Sequence, residues 1–199
     1  MTDLTHAIQF FQTGFTILLG LALGEAFKQF VPDGDQDIRW DRSSSLLAFL
    51  FMIFPFFHGM SQYFYTTYML HPDSKLGPVA GRVMFDGMVF MAEAALFFLL
   101  SRSLSPSHWV RFYFSLLALL AVDSVWIGVS ISYKAPLQSW LILNFILAVI
   151  LTFVLIKYSP RAPYSATNPA PFAPSWICAA ATLATTIASY VCMKDFYFP

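Results

Sequence analysis

The sequence predicts an all-α fold, a polytopic transmembrane helical bundle of about six spans. Six apolar stretches, most of them about twenty residues long, run through the 199 residues, and about 20 apolar residues in a helix cross the hydrocarbon of a bilayer. Hydrophobic residues make up 58% of the chain and charged residues 11%, against roughly 25% charged in an average soluble domain. The apolar runs are continuous, whereas the strands of a membrane barrel alternate in pieces of about ten residues.

We predict spans, in chain order, at residues 8–30, 44–70, 83–100, 108–132, 137–157 and 174–193. The first span has no basic segment before it and no clean cleavage site after it, so we expect it to stay in the mature protein. Pro55 lies inside the second span and should kink it, because proline lacks the N–H that a helix uses. In the last span alanine and threonine replace the leucine and phenylalanine of the others. No second domain and no internal repeat is evident, so we predict a single transmembrane domain over residues 1–199.

Polar connections separate the spans and set the predicted orientation. Residues 32–43 are acidic, residues 71–82 contain proline and glycine, and residues 159–174 carry five prolines, which favours an extended connection. Seven basic residues fall on one side and four on the other. The positive-inside rule then places both termini on the non-cytoplasmic side of the cell or inner membrane. Trp109, Trp140 and Trp176 lie near the starts of their spans, as expected of an aromatic belt at the membrane boundary.

Ionisable and amide side chains interrupt the apolar stretches, at positions where such groups are costly. They are His58, Gln62, Asp86, Glu93, Asp123 and Asn144. Residues four or seven apart share a helix face, so His58 lies on one face with Gln62, and Asp86 lies on one face with Glu93. Counting from the span ends places His58 and Glu93 near the midplane, within reach of each other or of one bridging water, and the other four in the half away from the cytoplasm. We predict a polar layer inside the bundle, either an ion or proton path or a buried hydrogen-bonded network.

Small residues form a second pattern, typical of close helix contacts in membranes. We predict helix packing at Gly20 and Gly24, a GxxxG pair in the first span, and along a stripe of hydroxyl residues in the last span, Thr182, Thr185, Thr186 and Ser189. The glycine pair is also compatible with a face for a second copy of the chain.

Several classes of protein need residues that the sequence does not supply. Every lysine lies in a connection or at a span end, whereas a retinal protein needs one within a span. His58 has no second histidine at its depth, as a bis-histidine haem requires. The acidic loop 33–37 lacks the glycine and the glutamate of a calcium loop, which are Ile38 and Ser44 here. We therefore predict no cofactor and no metal site, and the balance of 11 basic and 11 acidic residues predicts no nucleic-acid partner.

Three functional hypotheses follow for this protein of the lipid bilayer. The first is a small channel or transporter that moves protons or cations through the polar layer. The second is a non-catalytic membrane subunit or scaffold, as a homo-oligomer or docked to another membrane protein. The third is an intramembrane enzyme acting on a lipid or quinone-like molecule, with His58 and Glu93 as general acid and base. No HExxH, GxSxG or Walker pattern occurs in the sequence, so nothing in it favours catalysis.

Overall fold

A computed structural model of the protein describes residues 3–31, 37–70, 76–130, 136–159 and 172–198. Within these ranges every regular element is helical, and six helices are long and apolar enough to cross a membrane. The helices are α1 (Asp3–Phe30), α2 (Ser43–Phe64), α3 (Leu76–Ser101), α4 (Trp109–Ser130), α5 (Pro136–Tyr158), α6 (Phe172–Cys192) and the short α7 (Lys194–Tyr197). Two 3-10 turns, Trp40–Arg42 and Pro106–His108, precede α2 and α4, and a π-helical turn, Tyr65–Met69, continues α2. The predicted all-α bundle of six membrane spans is confirmed.

Two helices begin earlier than the apolar pattern predicts. Helix α1 starts at Asp3 rather than at residue 8, and α3 starts at Leu76 rather than at residue 83. Pro78 lies in the first turn of α3, where the backbone N–H groups have no partner within the helix, so a proline is tolerated there. The connection predicted over residues 71–82 is therefore shorter than the composition indicates.

Five of the long helices form a ring. Around it, α3 packs on α4, α4 on α5, α5 on α6 and α6 on α2, and α2 returns to α3. Helix α1 lies outside this ring and packs mainly against α3. The central space is thus bounded by helices that are far apart in the sequence, and the polar residues of the spans have an interior to share.

Glycines allow two close approaches in the bundle. A Cβ at Gly87 of α3 would lie 2.5 Å from the ring of Phe11 on α1, and a Cβ at Gly59 of α2 would lie 2.3 Å from the ring of Trp140 on α5. Nothing lies within 4 Å of the same point at Gly20 or Gly24. The close helix contact predicted at the GxxxG pair is therefore not formed within the described chain; Gly20 instead borders a groove between α1 and α2 that Ile53, Phe54 and Phe57 also line.

The kink-forming proline of α2 is compensated by α6. Proline has no N–H to donate to the carbonyl four residues earlier, so Pro55 leaves the carbonyl of Phe51 without its helical donor. The Thr186 hydroxyl donates to this oxygen at 2.6 Å, as neighbouring helices commonly do at a membrane proline. The other three hydroxyls of the predicted stripe belong to Thr182, Thr185 and Ser189. Each of them donates to a backbone carbonyl of α6 itself. Of the four, Thr186 thus makes the interhelical hydrogen bond.

Two of the three tryptophans predicted for the aromatic belt are buried instead. Trp109 is 1% exposed and Trp140 is 8% exposed. The indole N–H of Trp109 donates to the Ser175 hydroxyl at 2.7 Å, which joins α4 to α6. Trp140 packs its ring against Phe56, beside Gly59. The belt prediction is wrong for these two residues, because each finds a partner for its ring or its N–H inside the bundle.

Candidate functional site

Asp86 of α3 is the centre of a saturated hydrogen-bond network. Its fully buried carboxylate accepts hydrogen bonds from the hydroxyls of Tyr63 and Tyr68, at 2.9 and 2.6 Å. The indole N–H of Trp126 donates to the other oxygen at 2.9 Å. Arg82, one turn earlier on α3, forms the ion pair, with Nε 3.0 Å from Oδ1. Four donors from three helical segments therefore compensate the burial of this carboxylate.

The π-helical turn at the end of α2 makes this network possible. Tyr63 and Tyr68 are five residues apart, a spacing that does not repeat on one face of an α-helix but matches the wider π turn. The hydroxyl of Tyr63 also accepts from Arg82 at 3.3 Å, and Arg82 donates to the Ser130 hydroxyl of α4. Sequence reasoning missed both tyrosines because it assumed α-helical periodicity to residue 70. The ion-pair partner Arg82 was visible in the sequence, as the basic residue one turn before Asp86.

Asp123 of α4 and Asn144 of α5 form a second buried group. They are 2% and 3% exposed, and the Asn144 side-chain amide donates to Oδ2 of Asp123. The other oxygen of Asp123, Oδ1, has no hydrogen-bond partner among the described residues. The predicted interhelical hydrogen bonding of these two side chains is thus present, and it leaves half of the carboxylate available.

Glu93 of α3 is fully buried, and neither of its carboxyl oxygens has a hydrogen-bond partner in the described part of the chain. Asp123 lies on α4, which packs against α3. Glu93 follows Asp86 by seven residues, or about 10 Å along the helix, and unlike Asp86 it receives no donor. Two acids of one helix face therefore have opposite environments.

His58 does not pair with Glu93. Its half-buried ring lies in an aromatic group on the α6–α7 side of α2, with ring centroids 4.9 Å from Tyr197, 5.5 Å from Phe198 and 5.8 Å from Tyr190. The predicted direct contact between the histidine and the glutamate is not formed, since neither Glu93 oxygen has a partner. The acid–base pair of an intramembrane enzyme therefore has no direct contact to rest on, and its arrangement through one bridging water stays a prediction.

Residues after the last span fold back against the bundle. Phe196 and Tyr197 of α7 are 6% and 1% exposed, and the side-chain amide of Gln62 donates to the Tyr197 carbonyl at 3.0 Å. Burial raises the pKa of the Tyr197 hydroxyl, so this group stays a neutral donor. Gln62, predicted to lie in the polar layer, thus contacts residues 194–198, for which no role was predicted and whose aromatic content was the available signal.

A small cavity lies between α2, α4, α5, α6 and α7, with a volume of about 30 Å³. Its apolar side is formed by α2 and α4, and its polar side by α5, α6 and Asp123. The lining residues are Met52, Pro55, Phe56, Leu119, Leu120, Asp123, Trp140, Leu143, Asn144, Thr185, Thr186, Ser189 and Tyr197. Three hydroxyls of the predicted packing stripe thus face a cavity as well as a helix contact.

The six polar residues of the predicted layer fall into separate groups. Asp86 belongs to the saturated network, Asp123 and Asn144 line the cavity, Glu93 is buried apart from both, and His58 and Gln62 contact α7. No group of three His, Cys, Asp or Glu residues that could hold a metal ion occurs in the described ranges. The acidic loop 33–36 lies outside the described residues.

Comparison of the chain with family models, curated proteins and solved structures found no match.

Proposed function

We propose that this protein moves protons or small monovalent cations across the membrane, with Glu93 and Asp123 as the groups that exchange them. The observation that carries the proposal is the contrast between the two acids of α3. Asp86 has four donors, whereas Glu93 is as deeply buried and has none among the residues that the structure describes.

A carboxyl group without a donor adds little to the stability of a bundle. A charged aspartate or lysine at the centre of a spanning helix costs about 2.5–3.5 kcal/mol on insertion scales, and an unpaired buried charge costs more. Replacing such a group by a well-packed apolar side chain is commonly neutral or stabilising. An unpartnered Glu93 next to a half-partnered Asp123 therefore favours a function that needs groups able to take up and release charge.

The cavity supports the same assignment. Asp123 lines it, and its free oxygen Oδ1 can accept a hydrogen bond or coordinate an ion. Thr185, Ser189 and Tyr197 extend the polar lining towards the end of the bundle where α7 lies. Glu93 lies on α3, which packs against the α4 helix that carries Asp123. A charge taken up at Asp123 thus has a second acid on the neighbouring helix to pass to.

Flux through liposomes tests the proposal directly. Purified protein is reconstituted with a pH-sensitive dye inside the vesicles, and uptake of H⁺, Na⁺ and K⁺ is measured under an imposed gradient. The Glu93→Gln and Asp123→Asn variants should lose the flux and keep the folded yield, because an amide preserves size and hydrogen bonding but carries no charge. The matched control is Glu25→Gln, on the peripheral helix α1, which should conduct like the wild type.

Either of two results refutes the proposal. The first is wild-type permeability no higher than that of protein-free vesicles. The second is unchanged flux in both Glu93→Gln and Asp123→Asn. With either result the acids are structural. Glu93→Gln and Asp123→Asn should then leave the thermal stability unchanged or raise it.

The second candidate function is a non-catalytic membrane subunit, and the position of α1 favours it. Gly20 and Gly24 lie on an exposed face of this helix, and small residues at such spacing let helices of two chains approach closely. Subunit exchange between fluorescently labelled copies in detergent tests it. Gly24→Ile should abolish energy transfer if the face joins two copies, and equal transfer in the variant and the wild type would refute that role.

A further inference from the structure

The cavity beside Asp123 carries one charged group. Asp123 is the carboxylate among its lining residues, and it is 2% exposed. Asn144 holds Oδ2 in place, while Oδ1 has no hydrogen-bond partner in the described chain. The bond from Asn144 anchors one oxygen of the carboxylate, and the other has no protein donor to neutralise it among the described residues.

Four hydroxyl groups line the cavity, and three of them use their hydrogens on carbonyls of the protein. Thr185 donates its hydrogen to the Ala181 carbonyl at 2.9 Å, and Ser189 donates to the Thr186 carbonyl at 2.8 Å. Thr186 donates to the carbonyl of Phe51 at 2.6 Å. A hydroxyl that donates its hydrogen keeps two lone pairs as acceptors. These three groups therefore offer lone pairs to a ligand, and the fourth hydroxyl, that of Tyr197, has no hydrogen-bond partner among the described residues.

The size and the charge of the cavity define the ligand class. About 30 Å³ is room for one or two water-sized particles, since about 10–15 Å³ holds one. A single carboxylate balances one positive charge, whereas sites for Ca²⁺ use several carboxylates and 6–8 oxygens. Carboxylate, amide and hydroxyl oxygens are hard ligands, which suit hard cations rather than soft metals.

We infer that this cavity binds a largely dehydrated alkali cation, with Na⁺ as the probe, held by Asp123 and by the oxygens of Asn144, Thr185 and Ser189. The inference rests on the proposed function and names the substrate class of its site. Glu93 does not line the cavity and takes no part in holding the ion. Its role is to accept the ion or proton that leaves Asp123, so Glu93 is needed for transport alone, whereas Asp123 is needed for both binding and transport.

Thermal unfolding in detergent tests the binding without any transport. Tm is followed as NaCl replaces choline chloride at constant ionic strength, because choline is too large for the cavity. A ligand that binds the folded state alone raises stability by RT ln(1 + [L]/Kd), so we expect a saturable rise in Tm with Na⁺. Asp123→Asn should abolish that rise, and Glu93→Gln should keep it at the wild-type Na⁺ concentration for half-maximal effect.

Milder variants keep the test valid if Asp123→Asn does not fold. Thr185→Val and Ser189→Ala each remove one oxygen and leave the carboxylate in place, so each should shift the half-maximal Na⁺ concentration upward several-fold. Their matched control is Thr182→Val, because Thr182 is buried on the same helix and does not line the cavity. This control should titrate like the wild type.

The site and the transport function can fail separately. Equal Tm in NaCl and choline chloride, or an unchanged Na⁺ effect in Thr185→Val and Ser189→Ala, would overturn the site and leave proton transport to be judged by flux. A saturable Na⁺ effect in a protein that shows no flux would support the site and refute transport.

Discussion

Removing the Thr186 hydroxyl should destabilise the bundle by an amount that depends on Pro55. The hydroxyl donates to the carbonyl of Phe51 at 2.6 Å, and Pro55 supplies no competing N–H. Thr186→Val preserves the shape of the side chain and leaves this carbonyl without its donor. A buried acceptor that loses its partner costs about 1–3 kcal/mol, and interhelical hydrogen bonds in membranes average about 0.6 kcal/mol with a maximum near 1.7. We therefore expect a loss of about 1–2 kcal/mol.

Thermal unfolding of the detergent-solubilised protein measures this loss. For a chain of this size 1 kcal/mol corresponds to roughly 2–4 °C in Tm, so the variant should unfold about 2–8 °C lower. In a Pro55→Ala background the new N–H of residue 55 can donate to Phe51, and Thr186→Val should then cost close to nothing. The matched control Thr182→Val removes a hydroxyl that bonds within its own helix and should cost less than Thr186→Val.

The double-mutant cycle decides the outcome. A coupling energy near zero between positions 55 and 186 would refute the compensation of the proline by α6, even if Thr186→Val alone is destabilising. The cycle isolates the pair because each substitution removes one of the two features that create the hydrogen bond.

Two further predictions compare matched substitutions. Gly87→Ala should destabilise the protein by about 1–3 kcal/mol, since a Cβ there overlaps the ring of Phe11. Gly20→Ala should be neutral or slightly stabilising, because alanine raises the helix propensity and its Cβ meets no neighbour among the described residues. Equal Tm values for the two variants would contradict this packing. Tyr68→Phe should lower the free energy of unfolding by about 1.5–3 kcal/mol, because it removes a hydrogen bond to the Asp86 carboxylate. Tyr65 lies in the same π turn but is 46% exposed, so Tyr65→Phe should lower it by less than about 0.5 kcal/mol. A Tyr68 variant as stable as the Tyr65 variant would show that the network around Asp86 does not stabilise the fold.

The number and the type of spans could be predicted because length and apolarity are set by the bilayer. The depth of each polar residue in the membrane rests on the same count and stays a prediction. Rotation about the helix axis could not be predicted, since lipid is as apolar as the interior and leaves no hydrophobic signal for the inward face. His58 and Glu93, predicted at one depth, therefore make no direct contact in the described residues. For the same reason the spacing of Gly20 and Gly24 did not reveal that Gly87 makes the contact of α1 with α3.

The environments of the acids were beyond sequence reasoning. Asp86 and Glu93 look alike as acids on one face of one span. What separates them is a set of donors from α2, α3, α4 and the π turn, all of which reach Asp86. The π turn that brings Tyr68 to Asp86 is the member of this set that α-helical periodicity could not predict.

The hydrogen bond between α2 and α6 has a consequence for biogenesis. Thr186 follows Phe51 by 135 residues, and at about 5–20 residues per second a ribosome needs roughly 7–27 s to synthesise that interval. During this time α2 is already within reach of the membrane. The Phe51 carbonyl, which Pro55 leaves without a helical donor, still lacks its donor from α6. The ring cannot close before the last span enters the bilayer, so assembly of the native bundle is a late event that follows insertion rather than accompanying it.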